Sequence, residues 1–129
     1  MIDRMDRLQK MLKREISVIL QSEIEDPRVS HVTITRVELT RDLRLAKVFY
    51  ITSSEEHSAE EVGKGLKSSG GFVRRELAER ITLKYIPRIS FRPDRRAERA
   101  ESMNNLFSKI EEELGIDAAE EEGNGDEQG

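Results

Sequence analysis

Four glycines lie within nine residues near the middle of this chain, in a stretch whose other residues favour helix. They are Gly63, Gly65, Gly70 and Gly71, and the 129-residue chain contains only eight glycines. Each glycine inside a helix costs about 1 kcal/mol relative to alanine. Because a small domain is stable by only about 5–15 kcal/mol, the cluster requires a structural or functional reason.

Two helical patterns meet at the second pair of glycines. Ser58 and Glu61 form a capping box, which predicts the start of the first helix. The apolar residues of the two patterns recur at helical spacing: Val62, Leu66, Phe72, Val73, Leu77 and Ile81. We therefore predict two helices joined by a sharp bend at Gly70 and Gly71, where glycine relieves crowding. The first pair of glycines stays unexplained by this pattern.

The N-terminal half of the chain predicts one helix followed by a β-hairpin. Apolar residues at helical spacing, an N-cap at Asp3 and a stop at Pro27 predict a helix over residues 3–24. Residues 31–52 are rich in β-branched and aromatic residues and predict two strands. The apolar phase changes along the first of these strands, which predicts a bulge near Thr35 or Arg36.

The C-terminal half predicts a short strand over residues 86–92 and a last helix that ends at Gly115. The apolar stripe of this helix is Ala100, Met103, Leu106, Phe107, Ile110 and Leu114. A stripe at this spacing is more often core than docking surface. The predicted order is α-β-β-α-α-β with an additional C-terminal helix. Helices on one face of a small mixed three-stranded sheet would bury these stripes, so the predicted class is α+β.

The charge of the chain is unevenly distributed. Residues 116–129 contain six of the 26 acidic residues and none of the 22 basic ones, so the remainder has 20 acids and a net charge of about +2. The acidic segment lacks core-forming residues and is expected to be disordered. We therefore predict one folded domain over residues 1–115 and an acidic tail over residues 116–129. The tail is either a solubilising extension or a competitor with nucleic acid for the basic body.

Several classes of protein are disfavoured by composition. The chain has no cysteine, and His31 and His57 stand far apart, so we expect no metal or cofactor. Acidic residues are scattered among ion-pairing patterns, and no nucleophile, base and orienting group can be assembled, so we expect no enzyme. The charged N-terminus resembles neither a signal peptide nor a membrane span, which predicts a cytoplasmic protein without membrane contact.

Three segments resemble the ribosome-binding factor A family, and the match covers about residues 4–112. They are "SEIEDPRVSHVTITRVELTRDLRLAKVFY", "LKSSGGFVRREL" and "IPRISFRPD". The D-P-R turn, the hairpin and the A-K-V-x-Y strand follow the family's order and spacing. The resemblance implies a type II KH-like fold in which an Ala-x-Gly kink replaces the G-x-x-G loop. Ser69, Gly70 and Gly71 match that kink here, with serine in place of alanine.

The resemblance implies a non-catalytic factor that binds the free small (30S) ribosomal subunit, contacts 16S rRNA and assists late maturation, notably at low temperature. It implies RNA contact at the kink and at basic residues beside it: Lys64, Lys67, Ser69, Gly70, Gly71, Arg74 and Arg75. Two further basic groups are candidates: Arg4, Arg7, Lys10 and Arg14 on the first helix, and Arg92, Arg95 and Arg96 after the last strand. We expect a monomer without a small-molecule substrate.

Two alternatives remain open at the level of sequence. Each basic group is also typical of a solvated helix face. An adaptor that acts through protein–protein contacts would use the apolar stripe of the last helix. An RRM-type binder is disfavoured, because the six aromatic residues include no stacking pair of the RNP kind on a strand.

Overall fold

The computed structural model describes residues 3–115, and within them it contains three helices, one 3-10 turn and three strands. In chain order these are α1 (Arg4–Ser22), the 3-10 turn (Pro27–Val29), β1 (Val32–Leu39), β2 (Leu45–Thr52), α2 (Ala59–Arg80), β3 (Arg88–Pro93) and α3 (Arg95–Leu114). Contacts divide the chain into two compact units, Met1–Asp94 and Arg95–Gly129. From the sequence, we predicted that the folded domain ends at residue 115. The predicted acidic tail, residues 116–129, lies outside the described residues.

The three strands form one mixed sheet in the order β1-β2-β3. β1 and β2 are antiparallel, and β2 and β3 are parallel. The register of the hairpin shifts between Ile34 and Arg36, so Thr35 has no partner on β2. This confirms the predicted bulge. It also explains the change of apolar phase, because the extra residue lets both Ile34 and Val37 face the core.

α1 and α2 pack on one face of this sheet and supply most of the core. The buried apolar residues of the helices are Leu12, Ile16, Ile19, Leu20, Val62, Leu66, Val73 and Leu77. Those of the sheet are Val32, Ile34, Val37, Ala46, Val48 and Tyr50. The arrangement confirms the α+β class and the small mixed three-stranded sheet with helices on one face. Among the described residues no helix has the length and apolar character to cross a membrane.

α2 is one continuous helix, so the predicted division into two helices is wrong. Its buried residues are Val62, Gly65, Leu66, Ser69, Val73 and Leu77. They keep a single helical register through the glycine pair, and packing of that stripe outweighs the low helix propensity of Gly70 and Gly71. The helix starts at the predicted capping box. There the backbone N–H of Ser58, which donates to Glu61 Oε1 at 3.1 Å, is the main cause of the lowered pKa of Glu61.

The 3-10 turn that follows α1 packs directly against Gly65 of α2. A Cβ at residue 65 would lie 3.0 Å from Arg28 Cβ and 3.1 Å from Val29 Cγ1. The turn is held by Asp26, which accepts from Arg28 Nη2 at 2.7 Å and from the Arg28 backbone N–H at 3.0 Å. These bonds lower the pKa of Asp26, the side-chain bond most. A side chain at residue 65 would therefore crowd the turn, and glycine lets the helix and the turn pack closely.

α3 presents its apolar residues to solvent. Met103, Leu106, Phe107, Ile110 and Leu114 are all 40–68% exposed. The expectation that this stripe belongs to the core is therefore wrong. The helix ends as predicted at Gly115, whose φ of +73° is a conformation that favours glycine.

Candidate nucleic-acid interface

A groove runs between α2 and β3 at one edge of the sheet. Its lining comes from Gly63, Lys67 and Gly70 on the helix and from Ile89, Ser90 and Phe91 on the strand, and its volume is about 300 Å³. The three helix residues lie at positions i, i+4 and i+7, which places them on one face. Glycine at two of these positions lets a ligand approach the helix backbone closely. The groove thus explains Gly63, which had no role in the sequence analysis.

The outer edge of β3 borders this groove. β3 is an edge strand. The backbone N–H of Arg88 donates to the carbonyl of Arg44, the residue before β2, and that of Asp94 donates to the carbonyl of Tyr50 on β2. Because backbone groups alternate along a strand, those of Ile89 and Phe91 point to the open edge. Each offers a donor and an acceptor, the pattern that base edges of single-stranded RNA can pair with.

Lys67 is the cation of the groove lining. It is exposed and makes no ion pair with any residue in the described range 3–115. Lys64, one turn earlier, is also exposed but pairs with Glu60 Oε1 at 3.4 Å, a contact that water screens strongly. Lys67 is therefore the better placed of the two to meet a phosphate in the groove.

Ser69 and Gly71 do not line this groove. Ser69 is only 7% exposed, and its hydroxyl donates to the Gly65 carbonyl at 2.9 Å. The expectation of an RNA-facing hydroxyl at this position is therefore wrong, because the side chain belongs to the buried stripe of α2. Gly71 is exposed, and a Cβ built there meets only Arg75 Nη1 at 3.6 Å. Of the three predicted kink residues, the structure places Gly70 alone in the groove.

Arg74 and Arg75 differ in what their side chains do. The Arg74 guanidinium donates to the carbonyl oxygens of Pro87 at 3.2 Å and Ile86 at 3.1 Å. It therefore ties α2 to the segment that leads into β3, and so it holds one wall of the groove against the other. Arg75 stays exposed, with its guanidinium carbon 6.0 Å from the centre of the Phe72 ring. Arg75 is free to contact a phosphate, whereas Arg74 is chiefly structural.

The other two basic groups are not part of this groove. The α1 group is exposed and consists of Arg4, Arg7, Lys10 and Arg14. α1 packs mainly on β1, whereas the groove lies at β3, the opposite edge of the sheet. Arg92 donates to the hydroxyl of Ser90 at 3.3 Å and so adjoins the groove. Arg95 and Arg96 begin α3 in the second compact unit, where Arg95 pairs with Glu98 at 4.0 Å.

Sequence reasoning missed the strand side of the groove. Ile89, Ser90 and Phe91 are ordinary strand residues, and the first and third present their backbone groups at the open edge of the sheet. The only signal was the position of this strand at a sheet edge, which the sequence alone does not give. Within residues 3–115, no group of three or more His, Asp or Glu side chains could hold a metal ion.

Comparison with known proteins decides the family. A model of the family described as "Ribosome-binding factor A" matches residues 4–107 of this chain. The chain belongs to the ribosome-binding factor A family. The protein of that name from Acetivibrio thermocellus is 43% identical over 110 residues, which cover 84% of this chain and 89% of the relative. The one from Clostridium novyi is 42% identical over 110 residues, which cover 84% and 91% of the two chains.

Solved structures agree with this assignment. The crystal structure of ribosome-binding factor A from Thermus thermophilus matches with a TM-score of 0.63 and 27% identity, over 70% of this chain and 97% of that one. A homology model of the factor from the same organism matches with a TM-score of 0.58 and 30% identity, over 68% of this chain and 92% of that one. That second structure is described as fitted into a cryo-EM map of a complex between the 30S subunit and the factor.

Proposed function

We propose that this protein is a non-catalytic assembly factor that binds the free small (30S) ribosomal subunit through 16S rRNA. The observation that carries the proposal is the groove between α2 and β3. Gly63 and Gly70 leave room for a ligand beside the helix backbone, and the exposed ammonium group of Lys67 can meet a phosphate. The open edge of β3 offers backbone groups to bases. These features together suit a single strand of RNA. Membership of a ribosome-binding family makes rRNA the natural source of that strand.

The factor would act late in maturation and assist processing of the 5′ end of 16S rRNA. It would do so by holding RNA in a particular conformation, as a monomer in the cytoplasm, with no cofactor and no bond making or breaking of its own. Its contribution would be greatest at low temperature, when misfolded RNA helices rearrange slowly. Cells that lack the protein should accumulate 16S rRNA with unprocessed 5′ ends, most strongly in the cold.

Co-sedimentation with purified ribosomal subunits tests the proposal. The protein should pellet with small subunits and not with large subunits, and its affinity should fall steeply as salt rises, because phosphate contacts release counterions. Equal binding to both subunits, or an affinity that is unchanged between about 50 and about 200 mM salt, would contradict it.

An adaptor that binds a protein partner is the second candidate function, and the exposed stripe of α3 favours it. Phe107 is 55% exposed and Leu106 is 56% exposed, and both belong to the apolar stripe of the helix. The double variant Leu106→Ser and Phe107→Ser separates the two functions. The RNA proposal expects subunit binding to survive this change. The adaptor hypothesis expects binding to be lost while a Lys67→Gln variant binds normally.

A further inference from the structure

The bulge in β1 borders a second groove, at the edge of the sheet opposite to the groove between α2 and β3. The lining of this second groove consists of Gln9, Lys10 and Lys13 of α1 and Thr35, Arg36 and Val37 of β1, together with Asp6, and its volume is about 240 Å³. Bulges often re-aim a side chain next to a functional site. Here both the bulged residue, Thr35, and the residue that follows it, Arg36, line the groove, so the bulge forms part of the groove wall.

Arg36 is held in place from three sides. Its Nη1 donates to Glu38 Oε1 at 2.7 Å, and its Nε lies 3.5 Å from Asp94 Oδ2. The same carboxylate oxygen accepts from the Thr35 hydroxyl at 2.5 Å, and the guanidinium lies 4.0 Å above the Phe49 ring. The Arg36 side chain nevertheless stays 37% exposed. A guanidinium that is fixed in place and partly exposed binds a phosphate at little cost in side-chain entropy.

Two lysines face this arginine from α1. Lys10 and Lys13 are exposed, and neither makes an ion pair within residues 3–115. The charge of Arg36 is offset by Glu38 and Asp94, so the two lysines supply the positive surplus. Asp6 is the one acid of the lining and opposes an anion. On the same helix, Arg7 extends the basic surface away from the groove.

We propose that the groove between α1 and β1 binds phosphates of an RNA backbone, as a second contact separate from the groove between α2 and β3. The proposal rests on the RNA-binding function proposed above. β1 and β3 lie two strand spacings apart, roughly 10 Å, which exceeds the distance between neighbouring phosphates of one strand. The protein would thus hold RNA at both edges of its sheet.

Binding of a single-stranded RNA of mixed sequence, followed by fluorescence anisotropy at several salt concentrations, tests this contact. The double variant Lys10→Gln and Lys13→Gln should weaken binding at least about tenfold at about 0.1 M salt and lower the salt slope by about two. Asp6→Asn should strengthen binding roughly two- to threefold, because it removes the one opposing charge. The matched control is Arg41→Gln with Lys84→Gln, which removes two exposed charges outside both grooves and should change binding less than about twofold.

The outcomes separate this contact from the proposed function. If the wild-type protein binds RNA and small subunits while the lysine variant behaves like the control, the second contact is wrong and the proposed function stands. If the wild-type protein binds neither, both fail. Inorganic phosphate serves as a further probe, and millimolar phosphate that displaces RNA as effectively as unlabelled RNA would overturn the assignment in favour of a small-anion pocket. Thermal melts of the variants, expected to match the wild type, exclude unfolding as the cause.

Discussion

Gly65 of α2 lies so close to Arg28 of the 3-10 turn that a Cβ at residue 65 would approach the Arg28 Cβ to 3.0 Å. Asp26 accepts hydrogen bonds from both the guanidinium and the backbone N–H of Arg28, which limits how far the turn can shift to admit a methyl group. The D-P-R motif at residues 26–28 and Gly65 of α2 therefore pack together as one unit. The first pair of glycines thus has two different roles, since Gly63 lines the groove.

Alanine substitutions at Gly65 and Gly71 should have opposite effects on the stability of the protein. Gly65→Ala should destabilise the protein by about 1–3 kcal/mol, because the added methyl overpacks the contact with the turn. Gly71→Ala should stabilise it by up to about 1 kcal/mol, because the site is exposed and helical. Urea denaturation of both variants measures the difference. Equal effects at the two sites would contradict the packing role of Gly65.

Substitution of Arg74 should lower the stability of the fold, whereas substitution of Lys67 should weaken binding without lowering stability. Arg74→Gln should cost about 0.5–1.5 kcal/mol, since the shorter side chain cannot reach both the Ile86 and the Pro87 carbonyl. Lys67→Gln should leave stability within about 0.5 kcal/mol and weaken subunit binding. Chemical denaturation and co-sedimentation measure the two effects. A fully stable Arg74→Gln variant would show that the arginine does not fasten the groove.

The clamp between Asp26 and Arg28 should give a pH-dependent contribution to stability. The pKa of Asp26 is lowered in the folded state, chiefly by the guanidinium bond, so ionised Asp26 stabilises the fold. That contribution is fully present above the unfolded pKa of about 3.9 and is lost as pH falls through the folded pKa. The stability difference between wild type and Asp26→Asn should be largest at neutral pH and shrink towards about pH 3. A difference that stays constant with pH would argue against the ionic clamp.

The acidic segment should contribute nothing to the stability of the fold. Residues 116–129 contain six acids and only three residues more apolar than glycine, so they have little to bury. A chain that ends at Gly115 should melt at the same temperature as the full chain in a calorimetric scan. A loss of more than about 1 kcal/mol would reveal a folded role for this segment.

Local signals along the chain predicted the elements well. The N-cap at Asp3, the capping box at Ser58 and the bulge at Thr35 are all present, because each depends on residues close in sequence. The register of α2 could not be predicted in the same way. Glycine propensity favoured a break, but burial of the stripe through Ser69 depends on the sheet and α1, which are distant in sequence.

The site was predicted only in part, for a related physical reason. Lys67 and Gly70 were found from the basic residues around the glycines, and both line the groove. Ser69 and Arg74 were grouped with them by proximity in sequence, yet one side chain is buried and the other binds backbone carbonyls. These roles depend on the direction in which each side chain points from the helix. The bend predicted at Gly70 and Gly71 prevented those directions from being predicted correctly.

The most direct test of the account fills the groove with a side chain. Gly70→Leu places a bulky group in it, at a site where a Cβ has no neighbour within 4 Å, whereas Gly71→Leu places the same group outside the groove. Both variants should fold at least as stably as the wild type, because leucine favours helix over glycine by roughly 0.8 kcal/mol. Binding to small ribosomal subunits should fall at least about tenfold for Gly70→Leu and stay within about twofold of wild type for Gly71→Leu. Equal affinities for the two variants would contradict the assignment of the groove between α2 and β3 as the RNA-binding site.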